Sequence, residues 1–264
     1  MANLISKMFS RSTDKEYTLV ISGGGARGAY ALGILHAMEK LGIDKQIKAV
    51  YGVSAGAIVG AYRCAGYPAW EAFDKFVSLF SFGVSKINLL PKKSLIKNEF
   101  LKKAFTADLP DDFKKLKRTL YIGATNCNKA EYVLFSSGPL VAPLMGSMAI
   151  PGIFEPIPFQ DMLLVDGGTI NNFPVNSAKK KYPNNEIIGV ALNKFTENQQ
   201  VKNIFDNLMM GYELLLRGQL VGKFDLVDHL FYRRLDASIL DTKEKDMRKI
   251  FKEGYDDCIE HFQK

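Results

Sequence analysis

Ile47-Lys48-Ala49-Val50-Tyr51-Gly52-Val53-Ser54-Ala55-Gly56-Ala57-Ile58-Val59-Gly60-Ala61 reads as a strand that turns abruptly into a helix. The run from Ile47 to Tyr51 is short and apolar, and the residues on both sides of Ser54 are small. A strand-turn-helix of this kind belongs to an α/β chain and holds the serine hydroxyl out from the backbone. A larger residue at position 52 or 56 would crowd that turn. Ser54 is therefore a nucleophile candidate, although Gly and Ser at this spacing are common and the pentapeptide alone is a modest signal.

Its weight comes from what precedes it. Tyr17-Thr18-Leu19-Val20-Ile21-Ser22 is rich in strand formers, Gly23-Gly24-Gly25-Ala26-Arg27-Gly28 follows, and Ala29 to Glu39 is helix-like. Three glycines between strand and helix leave amide N–H groups unobstructed beside the positive end of the helix, which is a place for an anion. Two anions fit. A dinucleotide phosphate would use Gly23, Gly25 and Gly28 as the first, third and sixth positions of its loop, with Glu39 or Asp44 as the ribose acid. The negative oxygen of a tetrahedral acyl intermediate is the other, and it also gives the serine turn a role.

The base that would activate Ser54 is not marked among the three histidines, His36, His229 and His261, none of which has a telling local setting. Asp166 is the better partner. Met162-Leu163-Leu164-Val165 delivers its carboxylate to a strand end, and Gly167-Gly168 lets the chain turn away at once. A carboxylate is ordinarily a weak base, so this role requires a pocket that raises its proton affinity. A plain Asx-type turn is the structural alternative.

Taken together these blocks resemble the patatin-like phospholipase family: Gly23-Gly24-Gly25-Ala26-Arg27-Gly28, Gly52-Val53-Ser54-Ala55-Gly56 and Asp166-Gly167-Gly168 stand in the family's order. Ser147-Met148-Ala149-Ile150-Pro151-Gly152-Ile153-Phe154 and Asn171-Asn172-Phe173-Pro174-Val175 are similar to two further family segments. The resemblance spans about residues 17 to 192. It implies a Ser54–Asp166 dyad without histidine and hydrolysis of fatty-acyl esters of phospholipids, lysophospholipids or neutral lipids. Gly24 and Gly25, with the amide of Ala55, would form the oxyanion hole, and Arg27 would fix the loop or assist an anionic group. No cofactor or metal enters the scheme, and no Cys/His cluster has zinc spacing. An acyltransferase using the same dyad and a non-catalytic lipid-binding protein are the competing readings.

The remaining chain fits one domain over 1–264, with a motif-bearing core at about 17–192 and a helical region at 198–264. Strand-like runs near 17–22, 47–51, 119–124, 131–136, 162–165 and 186–192 alternate with helical stretches. This predicts a three-layer α/β sandwich around a mostly parallel sheet. Trp70, Phe73, Val77 and Phe80 recur at helical spacing as expected core residues, and Phe154, Ile157 and Phe159 are candidates for an acyl pocket wall. Ile204, Leu208, Met209, Tyr212, Leu215 and Leu216 predict an amphipathic helix over 198–220, read as packed rather than as a lid. Met247, Ile250, Phe251, Tyr255, Cys258, Ile259 and Phe262 predict a docked terminal helix. A formal charge of +7 favours anionic surfaces, and with no nucleic-acid motif a phospholipid membrane touched peripherally is the expected partner. No apolar run reaches the roughly 20 residues of a spanning helix, and Met1 to Lys15 has no signal-peptide core. Cys64, Cys127 and Cys258 are an odd number that fits reduced thiols. A cytoplasmic protein is expected, with export lacking a classical signal left open.

Overall fold

The computed structural model describes residues 15–80, 94–194, 201–236, 239–240 and 243–264. In chain order these form β1 (Tyr17–Ile21), α1 (Gly28–Leu41), β2 (Ile47–Val53), α2 (Ala55–Ala65), α3 (Ala69–Phe80) and α4 (Glu99–Asp108). There follow β3 (Thr119–Asn126), β4 (Glu131–Phe135), α5 (Val141–Ser147), β5 (Ile157–Phe159), β6 (Met162–Asp166) and α6 (Val175–Lys181). The last elements are β7 (Glu186–Val190), α7 (Ile204–Gly218), β8 (His229–Phe231) and α8 (Glu244–Gln263).

The strands make one eight-stranded sheet in the order β5-β6-β3-β2-β1-β7-β8, with β4 attached to β3. β1 pairs in parallel with β2 and β7, as do β2 with β3 and β7 with β8. The central strands read as continuous apolar runs because both faces are covered: all five residues of β1 are buried. Leu19 and Ile21 enter one core while Val20 enters the other, and Val50 and Tyr51 of β2 divide the same way. Each fully buried Leu or Ile contributes roughly 1.5–3 kcal/mol. The two clusters are therefore the main source of stability.

The larger core lies under α1, α2, α3 and α8, and the smaller one holds Phe173, Val175 and Ala178 beside and within α6. This is the expected three-layer α/β sandwich with a mostly parallel sheet. α8 buries Met247, Ile250, Phe251, Cys258 and Phe262, as its periodicity predicts. α3 buries Phe73, Val77 and Phe80, but Trp70 is 47% exposed and lies under the Arg248 guanidinium. It sits at the margin of the apolar stripe, where an amphipathic ring can keep one edge wet.

Candidate active site

Sheet register brings two strand ends together on one edge of β3. β2 pairs with β3 from Thr119 as far as Val53↔Gly123, while β4 pairs with β3 from Ile122 to Asn126 and so occupies the opposite edge. β6 then takes over the edge that β2 has left, running antiparallel, with Asp166 opposite Ala124. Ser54 follows Val53, and Asp166 is the last residue of β6. The two thus emerge at successive positions of β3, head to head.

Ser54 has φ 54° and ψ −121°, a conformation that L-residues rarely adopt, and its carbonyl accepts the first bonds of α2 from Ala57 and Ile58. The neighbouring glycines leave no room for a side chain. A Cβ at Gly52 would stand 2.4 Å from the Gly56 carbonyl oxygen, and one at Gly56 would stand 2.3 Å from that of Ile21. The turn is held by a residue whose function sequence reasoning missed. Ser147 is fully buried, and its Oγ accepts from the Ser54 N–H at 2.8 Å and donates to the Gly123 carbonyl at 2.6 Å. Two residues later the Ala149 carbonyl accepts from the Asp166 N–H at 3.0 Å. The 147–149 segment therefore grips both strand ends. Ser147→Ala strands a buried donor and a buried acceptor and is expected to cost about 1–3 kcal/mol for each, measured as a lowered denaturant midpoint at unchanged m-value.

Asp166 is fully buried. Burial pushes its carboxyl up to about 7, against the opposing pull of the Ser54 hydroxyl, the Gly168 N–H and the Tyr212 hydroxyl. The Gly168 N–H donates to Oδ1 at 2.7 Å, whereas neither Oδ2 nor the Tyr212 Oη closes a well-aligned hydrogen bond with a described residue. Burial, then the Asp166 charge, raises the Tyr212 hydroxyl well above its ordinary value, and the buried Tyr132 hydroxyl is raised by the same two causes. The carboxylate is thus desolvated and ringed by groups that stay neutral. Such an acid is poised to exchange a proton near neutrality.

The glycine loop faces this pair. Gly23 lies against Ser54, and its N–H donates at 2.9 Å to Oδ1 of the fully buried Asn172. Asn172 is in turn held by Asn193 at 2.8 Å and Gln219 at 2.5 Å, and Gln219 Nε2 donates to the Gly168 carbonyl at 2.7 Å. One side-chain network therefore joins the glycine loop to the turn after Asp166. Gly25 has φ 57°, and a Cβ there would stand 2.0 Å from the Ile239 carbonyl oxygen. The Ala26 N–H is spent on that carbonyl at 2.8 Å, while the amides of Gly24, Gly25 and Ala55 donate to no described residue. Arg27 is buried, and its Nη2 reaches the Glu213 carboxylate at 3.2 and 3.3 Å, which anchors the loop to α7.

Gly25, Ser54 and Ala55 line a narrow, largely apolar cleft with Ile58, Ile150 and Phe154, whose space for a water-sized molecule's centre is about 20 Å³. Ile157 and Phe159, expected as further wall residues, are on β5 instead, where Phe159 packs edge-on against Phe135. The cleft thus sets apolar side chains and unspent amides beside the Ser54 turn.

The candidates for other chemistries lie elsewhere. Asp44 accepts from Arg63 at 2.8 Å and from Arg118 at 2.6 Å, and Glu39 accepts from the Ala69 N–H, so both carboxylates are engaged structurally. His36 sits among Trp70, Phe251 and Tyr255, while His229 bridges His261 and Glu186. Among the described residues no group of three His, Cys, Asp or Glu side chains is arranged to hold a metal ion.

Residues 19–179 match the patatin-like phospholipase family. The chain belongs to that family. Among its relatives, the probable lipid hydrolase 463L of Invertebrate iridescent virus 6 is 29% identical over 185 residues, covering 62% of this chain and 63% of that protein. The lysophospholipase NTE1 of Chaetomium globosum is 30% identical over 181 residues, covering 66% of this chain but 12% of that protein. The crystal structure of VipD from Legionella pneumophila superimposes with a TM-score of 0.57 at 14% identity, over 95% of this chain and 67% of that one. At that identity the likeness speaks for the fold alone. The patatin-like core thus includes the glycine loop, Ser54 and Asp166, while β7, α7, β8 and α8 follow the matched residues.

Proposed function

We propose that this patatin-like chain hydrolyses fatty-acyl esters of phospholipids or lysophospholipids through an acyl-enzyme, with Ser54 as nucleophile and Asp166 as its base. The observation that carries the reading is the sheet register that brings Ser54 and the fully buried Asp166 to successive positions of β3, where burial raises the carboxyl. The likeness to a viral probable lipid hydrolase and a fungal lysophospholipase supports the same substrate class.

In the first half-reaction Asp166 takes the Ser54 proton as Oγ adds to the ester carbonyl, and the Gly24, Gly25 and Ala55 amides hold the resulting oxyanion. Collapse breaks the bond to the alcohol, which leaves with the proton from Asp166. In the second half-reaction Asp166 takes a proton from water, the hydroxyl adds to the acyl-enzyme, and the proton returns to Ser54 Oγ as the fatty acid departs. Arg27 keeps the loop in place through Glu213. The test is mass-spectrometric product profiling on mixed phospholipids and lysophospholipids. Fatty acid release with an acyl adduct on Ser54 is expected, and transfer of the acyl group to an added alcohol in preference to water would overturn the hydrolase assignment.

Because the carboxylate form is the base, kcat/KM should rise with pH through about 7 and then level off. Tyr212 lowers the Asp166 pKa, so Tyr212→Phe should shift that rise to higher pH. Activity then falls near neutrality and recovers in alkaline buffer. Equal pH profiles for the two proteins would remove Tyr212 from the site.

Substrate of this kind resides in membranes, and the charge of +7 favours peripheral contact with anionic lipid. No described helix is long and apolar enough to cross a bilayer.

A further inference from the structure

Large apolar side chains exposed on the described surface are concentrated in one place. Of ten such residues, seven lie between Val201 and Val221: Val201, Ile204, Phe205, Leu208, Leu214, Leu215 and Val221. Ile204, Leu208, Gly211 and Leu215 recur at spacings of four, three and four, forming a row along one side of α7. Their tips project rather than nestle. Ile204 is 79% exposed, Leu208 67% and Leu215 60%, and Val221 just beyond the helix is 79% exposed.

The other side of the same helix is built into the site. Leu216 is buried in the larger core, Tyr212 presents its hydroxyl to Asp166, and Glu213 pairs with Arg27. The helix's two acids are also engaged away from the outer row. Glu213 faces Arg27, and Asp206 accepts from the Lys202 N–H at the helix start. Exposed Lys202 stands at the start of the row, within a chain of net charge +7. A projecting apolar row on a cationic protein fits the boundary of an anionic bilayer, where the side chains enter the acyl region and the cations meet headgroups.

We propose that the outer face of α7 is a membrane-docking surface that seats the domain on bilayers containing anionic phospholipid. This deepens the lipid-hydrolase reading and rests on it for the identity of the partner. With its inner face against Asp166, a docked α7 leaves the Ser54–Asp166 pair about one helix diameter, roughly 10–12 Å, from the lipid.

The test is flotation of the full chain with phosphatidylcholine vesicles, with and without phosphatidylglycerol, beside turnover of a soluble short-chain ester. The parent should bind the anionic vesicles preferentially. A Leu208→Asp, Leu215→Asp double variant should lose roughly tenfold or more in apparent affinity, with soluble-ester turnover kept within about twofold. The uncharged pair Leu208→Asn, Leu215→Asn should show the same split. Equal vesicle binding by parent and both variants overturns the proposal, as does equal binding of the parent to neutral and anionic vesicles. A parent that ignores vesicles but is dimeric, and becomes monomeric in both variants, overturns it in favour of a second copy of the chain. Vesicle binding that survives in a chain without ester turnover would retain the docking face and remove the hydrolase reading.

Discussion

Ser54→Ala is expected to abolish ester turnover with little change in stability. Loss of a serine nucleophile alone costs on the order of 10⁶-fold in kcat in comparable acyl-enzyme chemistry. The fold should be indifferent, because the Ser147 bond is made to the backbone N–H of residue 54, which alanine keeps. Alanine also inherits the backbone at φ 54°, so strain of about 1–3 kcal/mol remains stored in the turn. Ser54→Gly separates the two properties. It should be as inactive as the alanine variant yet more stable by a part of that strain, offset by the entropy glycine loses on folding. Rates on one ester and denaturant midpoints for the three proteins check this. Residual turnover in Ser54→Ala within a hundredfold of the parent would remove Ser54 as the nucleophile.

Local grammar carried much of this molecule. The runs at 17–22, 47–51, 119–124, 131–136, 162–165 and 186–192 all correspond to strands. β1, β2 and β7 read as continuous apolar runs because both faces are covered, whereas the less buried β4 is marked by its strand formers Tyr132, Val133 and Phe135. β5 and β8 escaped notice because each has three residues and β5 contains Pro158, so neither offers a period to detect. The tight packing around Gly52 and Gly56 was legible, since a crowded turn imposes its demand on adjacent residues. Ser147, Asn172, Tyr212, Glu213 and Gln219 were not legible as members of the site. Their partners are distant in sequence, and a hydroxyl or amide has the same local signature whether it holds a nucleophile or faces water. Ser147 and Asn172 did fall inside segments noted for their resemblance, which is the only signal that could have found them.

α7 shows the complementary limit. Ile204, Leu208, Met209, Tyr212, Leu215 and Leu216 share the apolar period of one amphipathic helix, but they divide between two sides. Leu216 is buried and Met209 and Tyr212 pack partly against the core, whereas Ile204, Leu208 and Leu215 are exposed. A helix apolar around much of its circumference has the period of a helix whichever side meets the domain. Only the placement of Tyr212 and Glu213 against Asp166 and Arg27 decides it. Residues 198–200 of that expected helix lie outside the described residues.

Asp166→Asn should lose activity and gain stability, with the gain set by pH. Asparagine cannot take up the Ser54 proton, and loss of a general base costs up to about 10⁴-fold. The amide oxygen can still accept from the Gly168 N–H, so the turn keeps its anchor. In the parent, burial holds the carboxyl at about 7 in the folded state against an ordinary value of 3.8. The folded state therefore keeps its proton where the unfolded chain has released it. The parent has no penalty below the unfolded value, loses stability as pH climbs from about 4 to about 7, and bears a constant penalty above. A difference of roughly three pKa units corresponds to about 4 kcal/mol as an upper scale. Asp166→Asn lacks that titration, so its advantage should be near zero at pH about 4 and largest above pH about 7. Denaturant unfolding of both proteins at an acidic and an alkaline pH measures it. A stability difference that stays constant across this range would mean that the carboxyl does not titrate from a buried state. The activation of Ser54 by a neutral-range carboxylate would then lose its physical basis.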